Sequence, residues 1–200
     1  MTKSLWQEFW DFIGIPARFV LFDQQWLHRF RWTTLEDERI SFVLPVVRSR
    51  LLDIGAGTNA LVRRYGDGVG VEMYDWGGGA LVVKNAARLP FPDQSFDTVT
   101  FVASLNHIPN RVEALLEARR LLKPTGQLLI TMINPIFGGI GHAIWWYSED
   151  KIRGGMKDGE VGGLWTSNIV ALCTQAGFQL RENCRFLYGL NNFYRFGPVR

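Results

Sequence analysis

Asp53, Gly55, Gly57, Glu72, Asn85 and His107 are the residues whose types and spacing can do chemistry together. Leu51-Leu52-Asp53-Ile54 reads as a buried strand, Gly55-Ala56-Gly57 as a tight turn, and Asn59-Ala60 as the start of a helix. Lacking side chains, Gly55 and Gly57 let a ligand approach the backbone, and the helix start aims N–H groups and its positive dipole end at the turn. Asp53 adds a carboxylate at the strand end. Glu72 closes the next strand, where a carboxylate can accept both hydroxyls of a ribose. Asn85 follows a third strand, where an amide can pair with the edge of a base. Together they describe an adenosine site. His107 follows a fourth strand, and an imidazole is suited to proton transfer near neutral pH.

The surrounding pattern must place these residues at one edge. Strands are expected at 50–54, 69–73, 80–84, 96–102, 127–133, 178–186 and 191–196. Helices are expected over 60–65, from Asn110 to Leu122 at the spacing of Val112, Leu115, Leu116 and Arg119, and from a cap at Thr166 or Ser167 to Ala176. Strands alternating with helices imply a parallel sheet covered on both faces, with ligands bound beyond the carboxyl ends of its strands. Two departures stand out. The crossover from Glu72 to the third strand is too short for the usual helix, and a long loop runs from Asn134 to about Leu164. That loop carries His142, Trp145, Trp146 and Tyr147, which are the candidate wall of an acceptor pocket.

Residues 1–48 form an aromatic helical cap ahead of an α/β domain over 49–200, the two making one compact unit. Trp6, Phe9, Trp10 and Ile13 share one helical face, and Phe19, Phe22, Trp26 and Phe30 another. Such faces pack on a core, form a lid, or lie in a lipid interface. Packing or a lid is the expectation ahead of lipid, because no Lys/Arg-rich polar face accompanies the tryptophans. Thr33 and Glu36 stand at capping-box spacing for the next helix.

Composition excludes several classes. A net charge of +3 with scattered basic residues does not indicate nucleic-acid binding. Two cysteines, Cys173 and Cys184, make neither a disulfide framework nor a metal site. No signal peptide is recognisable, so the expected setting is cytoplasmic, with peripheral membrane contact through the aromatic helices as an option. Pro124 to Ser148 lacks Asp, Glu, Lys and Arg, yet Asn134-Pro135 and Gly138-Gly139 break it, which argues against a membrane span.

Gly55-x-Gly57-x-x-Ala60 also fits a dinucleotide fingerprint, so an NAD(P)-dependent oxidoreductase is an alternative. The combined order is more specific: Leu52-Asp53-Ile54-Gly55-Ala56-Gly57-Thr58-Asn59, then Gly70-Val71-Glu72, then Asn85 to Asp97 with Leu89-Pro90-Phe91-Pro92-Asp93, then Leu121-Leu122-Lys123-Pro124-Thr125-Gly126, then Ala176-Gly177-Phe178. It resembles the class I S-adenosylmethionine-dependent methyltransferases, in their small-molecule branch, closely over 48–133 and more loosely over 164–186.

That resemblance implies a Rossmann-like, doubly wound, mostly parallel seven-stranded sheet with an antiparallel C-terminal strand. It implies transfer of a methyl group from S-adenosylmethionine to a small, lipid-like or glycan acceptor, without a metal. By the same resemblance Asp53, Gly55, Ala56 and Gly57 hold the methionine portion and Glu72 the ribose. Met73, Asn85 and Ala86 surround the adenine, and Ser104 to His107 border the methyl group. Asn59 and Asn85 stand where the family usually has Gly and Asp. With the short crossover, they keep a non-catalytic cofactor-binding or scaffold protein as a further alternative.

Overall fold

The computed structural model describes residues 3–20, 24–143 and 156–199. Its centre is a seven-stranded sheet: β1 (Leu51–Ile54), β2 (Gly68–Glu72), β3 (Leu81–Val82), β4 (Phe96–Val102), β5 (Leu122–Ile133), β6 (Phe178–Phe186) and β7 (Asn191–Pro198). The spatial order is β3-β2-β1-β4-β5-β7-β6. β7 runs antiparallel to both its neighbours, and the pairings from β3 to β5 are parallel. The order reverses between β1 and β4, which opens a crevice at their carboxyl ends.

The central strands serve two cores because successive side chains point to opposite faces. Leu52, Ile54, Phe101 and Ile130 pack under α6 (Arg111–Leu121) and the C-terminal helix Thr166–Gln175. Leu51, Leu129 and Phe193 face the other way, against Leu61 of α5 (Ala60–Tyr65) and Leu35, Ile40 and Val43 of α4 (Leu35–Val43). Residues 35–47 are thus built into a core of the sheet.

The structure differs from the sequence expectations at five points. β3 shrinks to two residues, an outer strand fed by a crossover without a helix. β5 starts at Leu122, directly at the end of α6 and five residues ahead of the expected Gln127, so that Lys123 to Gly126 lie within the strand. The segment after β5 begins as a helix, α7 (Pro135–Ala143), where a loop was expected. The Asn134 side chain accepts the Ile136 N–H at 3.0 Å, and Gly138 gives room for the Gly162 carbonyl, which would lie 1.8 Å from a Cβ there. The helix Thr166–Gln175, here α8, is preceded by Trp165 as its cap position. The Thr166 hydroxyl is 2.9 Å from that of Tyr194 instead. Finally, α4 is capped one residue late, by Thr34, whose hydroxyl accepts the Asp37 N–H at 2.9 Å.

That last shift has its cause in the N-terminal cap, made of α1 (Leu5–Ile13), α2 (Ile15–Val20) and α3 (Gln24–Arg29). The backbone N–H and hydroxyl of Thr33 both donate to Asp11, at 2.9 and 2.7 Å. Asp11 is fully buried and also takes Lys3 and Gln7. Arg18, likewise buried, donates to the carbonyls of Asp11 and Thr33 and to Glu38. Burial pushes the Asp11 carboxyl up, but the Lys3 and Thr33 donors outweigh it and leave it below the ordinary carboxylate range. α1 therefore turns its polar side inward. Trp6, Phe9, Phe12 and Ile13 are 72, 52, 56 and 51% exposed, the reverse of what helical periodicity alone implies. Trp10 is the exception, half-buried, with its ring 6.0 Å from Trp32 and its N–H donating to the Phe30 carbonyl.

Among the described residues no helix is long and apolar enough to cross a membrane; the uncharged stretch 124–148 begins as β5 followed by α7.

Candidate functional site

The turn after β1 is shaped by close packing. Gly55 has φ +74°, and a Cβ there would meet the Ser104 Cβ at 2.4 Å, so β1 and β4 can close on each other only with glycine. Gly57 has φ +51° and open space where a Cβ would stand, which leaves room for a ligand beside the backbone. Asn59 sits at φ 60°, the left-handed geometry that asparagine tolerates, and its Nδ2 donates to the Gly78 carbonyl at 3.3 Å. A Cβ on Gly78 would lie 2.1 Å from the Thr58 carbonyl. The short crossover is thus drawn down onto the turn.

The turn's amides are already used. Gly55 and Ala56 donate to the Val71 carbonyl at 2.9 and 3.1 Å, and Asn59 to the Ala56 carbonyl at 2.7 Å. Gly57 donates to Glu72 Oε2 at 2.9 Å, and Met73 to Glu72 Oε1 at 2.6 Å. Both oxygens of Glu72 are oriented by backbone donors and each retains lone-pair capacity for hydroxyl groups. Glu36, from the first turn of α4, accepts the Thr58 hydroxyl at 2.8 Å. Asp53 is buried at the end of β1 and accepts the Thr100 hydroxyl at 2.6 Å. Burial, reinforced by the charges of Glu72 and Glu36 and opposed by the Thr100 bond, pushes the Asp53 carboxyl up to about 7.

Three carboxyl groups thus surround a turn whose amides are engaged. The helix start read from the sequence as a source of N–H donors has no side-chain cap, and to it the structure adds an acidic lining. A pyrophosphate needs such donors and no adjacent anions; a cation or a set of hydroxyl groups suits this corner.

The other expected residues fall as follows. Ser104 is buried and its hydroxyl donates to the Ile54 carbonyl at 2.6 Å, so it ties β4 to β1. Ala56 and Ala86 are buried, and Met73 is 44% exposed beside Glu72. Asn85 is exposed. Its carbonyl oxygen already accepts the Ala87 N–H at 2.9 Å and the Asn110 Nδ2 at 3.1 Å, so it presents its amide NH₂ as a donor. His107 ends a 3₁₀ turn, Leu105–His107, just beyond β4. His142 lies in α7, but its side chain, together with Trp145, Trp146 and Tyr147, lies outside the described residues. Among the described residues no group of three or more His, Cys, Asp or Glu is placed to hold a metal ion.

Glu36, Thr100 and Glu160 were not legible as site residues. Glu36 looked like helix capping, Thr100 meets Asp53 only through the β1–β4 register, and Glu160 is distant in sequence from the His107 it faces.

Residues 52–130 match the family described as Methyltransferase domain. The ubiquinone/menaquinone biosynthesis C-methyltransferase UbiE of Bordetella avium is 33% identical over 119 residues, covering 50% of this chain and 46% of that protein. The chain therefore spans about half the length of the curated relatives it matches. A possible histamine N-methyltransferase from Thermotoga maritima superposes with a TM-score of 0.63 at 22% identity, covering 96% of this chain and 99% of its own. The methyltransferase CalH, in complex with S-adenosylhomocysteine, superposes with a TM-score of 0.56 at 17% identity, covering 100% of this chain and 60% of its own. At these identities the superpositions speak to the fold. Residues 52–130 are thus similar to a methyltransferase domain, and the sheet that carries them shares its fold with these solved structures.

Proposed function

We propose that this chain transfers a methyl group from S-adenosylmethionine to a small apolar acceptor. The observation that carries this reading is the carboxylate-lined turn at the switch point of the sheet, with Glu72 oriented by the Gly57 and Met73 amides. The residues fit that cofactor. Its sulfonium and ammonium groups are positive where Glu72 and Glu36 place carboxylates and where a bound cation would favour ionisation of Asp53, and Gly57 leaves space at the backbone. When bound, the cofactor supplies a methyl group on an activated leaving sulfur.

What remains is work for the chain. Glu72 accepts the ribose hydroxyls. Met73 flanks the adenine with apolar surface, the Asn85 amide donates to a ring nitrogen, and the backbone of Ala86 faces the same edge. Asp53 to Gly57 hold the amino-acid end, while Ser104 sets the gap between β1 and β4. His107, at the edge beyond β4, takes the proton of an acidic acceptor. Transfer then depends on holding that acceptor in line and excluding water.

The names of the curated relatives, quinone C-methyltransferases, favour a ring carrying an apolar tail over a glycan. The exposed face of α1 supports the same acceptor class. Leu5, Trp6, Phe9, Phe12 and Ile13 form an outward apolar surface that continues through Phe12 to Tyr188, 5.4 Å away in the β6–β7 turn. A lipid interface would cover it, at the level where a tailed acceptor resides.

Calorimetric titration tests the cofactor. S-adenosylhomocysteine is expected to bind and NAD⁺ not to; binding of NAD⁺ alone would sink the reading. With a reduced quinone as acceptor, His107→Ala is expected to lower turnover by about 10²–10⁴-fold while leaving cofactor affinity intact. The membrane contact is checked by co-sedimentation with phosphatidylglycerol-containing vesicles. The Trp6→Ser, Phe9→Ser double variant is expected to stay in the supernatant, and undiminished sedimentation would rule α1 out as the contact.

A further inference from the structure

The segment 159–161 is sewn onto the 3₁₀ turn that carries His107. Val161 N–H donates to the Asn106 carbonyl at 3.0 Å, and Asn106 Nδ2 returns a bond to the Val161 carbonyl at 3.1 Å. Arg111, at the start of α6, spans both segments: Nε donates to the Leu105 carbonyl at 3.1 Å, and Nη2 to the carbonyls of Asn106 and Gly159, each at 2.8 Å. Gly159 turns the chain at φ +84°, where a Cβ would stand 2.9 Å from that of Pro109. These contacts deliver Glu160, whose side chain is 2% exposed, to His107 Nδ1 with Oε2 at 3.4 Å. The imidazole itself keeps 28% exposure.

A carboxylate has only acceptors, so an imidazole nitrogen that faces one must carry the proton. The other nitrogen, Nε2, then holds the lone pair. Without such a neighbour the ring can protonate on either nitrogen. The same clamp also joins the end of β4 to the segment leading into α8.

We propose that Glu160 is a positioning residue, held in place by Arg111, that fixes His107 in its Nδ1–H tautomer and makes Nε2 the proton-accepting atom of the site. The functional half of this statement rests on His107 being the base proposed above; the tautomer does not.

Nuclear magnetic resonance of the full chain, labelled with ¹⁵N-histidine and held at alkaline pH, reads the tautomer directly. His107→Gln identifies the His107 signals against those of His28 and His142. The wild type is expected to show protonated Nδ1 and unprotonated Nε2. Glu160→Leu, or Glu160→Met as a second replacement without an acceptor, is expected to move the Nδ1 resonance toward the unprotonated range. A wild-type ring protonated on Nε2, or a tautomer unchanged in both variants, overturns the proposal. This readout needs neither cofactor nor acceptor, so it stands apart from the methyl-transfer reading. In turnover of a reduced quinone, Glu160→Leu is expected to lower kcat by about 10²-fold, the scale of a misdirected base, with the KM for the cofactor unchanged. An unchanged kcat would remove the positioning role.

Discussion

Glu72→Ala is expected to raise the dissociation constant for S-adenosylhomocysteine by about 100-fold or more. Hydrogen bonds to a charged group contribute about 1.5–3 kcal/mol each, and losing about 2.8 kcal/mol is a hundredfold in affinity. The carboxylate would accept two ribose hydroxyls, so its loss removes two such bonds. The same change takes the acceptor from the Gly57 and Met73 amides, which loosens the turn that the ligand lies against. Glu72→Gln keeps one carbonyl oxygen and is expected to fall between wild type and Ala. Calorimetry reads both variants, with circular dichroism to confirm the fold. Unchanged affinity in Glu72→Ala would exclude the ribose role.

Asp53→Asn is expected to stabilise the unliganded protein at alkaline pH and to flatten its pH dependence. Burial, with the Glu72 and Glu36 charges, raises the folded-state pKa of Asp53 from 3.8 to about 7. A raised carboxyl favours the protonated form, so its contribution to stability is fully present below the unfolded value. It is lost as pH rises toward and through the folded value. The shift corresponds to a difference on the order of 4 kcal/mol between acid and alkaline conditions. Asn mimics the protonated acid and can still accept the Thr100 hydroxyl. Urea unfolding of both proteins near about pH 4 and about pH 8 should therefore give similar stabilities at the first and a more stable Asn variant at the second. A difference that does not change with pH would contradict the assignment. Linkage carries the argument to the ligand: a cation bound beside Asp53 favours its ionised form. Wild-type affinity for S-adenosylmethionine is then expected to rise about tenfold from pH 6 to 8, more steeply than in Asp53→Asn.

Particular residues show how far local pattern reaches. β1, the Gly55–Gly57 turn and Glu72 were legible because each depends on its own residues: a buried apolar run, positions with positive φ, and an acid closing a strand. The left-handed Asn59 was legible for the same reason. The N-terminal helix was legible as a helix, since periodicity marks that well, but its orientation was not. Asp11 is buried because Lys3, Gln7 and Thr33 converge on it, and two of those contacts cross into other parts of the chain. α7 escaped notice because glycine-rich sequence has poor intrinsic helix propensity, and it is the close approach of Gly162 that uses those glycines.

By itself, then, the sequence determined the order of the strands, the glycine turn with Glu72 closing the next strand, and the pattern that resembles a methyltransferase more than a dinucleotide site. These are set by neighbours along the chain. Tertiary structure decided the electrostatics of that corner. The β1–β2 and β1–β4 registers consume the turn's amides and place Thr100 on Asp53, and α4 brings in Glu36. It also decided which side of α1 meets water, and which carboxylate faces His107. Each of these depends on distance in space between residues far apart in sequence, and hydrogen bonds and Coulomb interactions act over that distance alone.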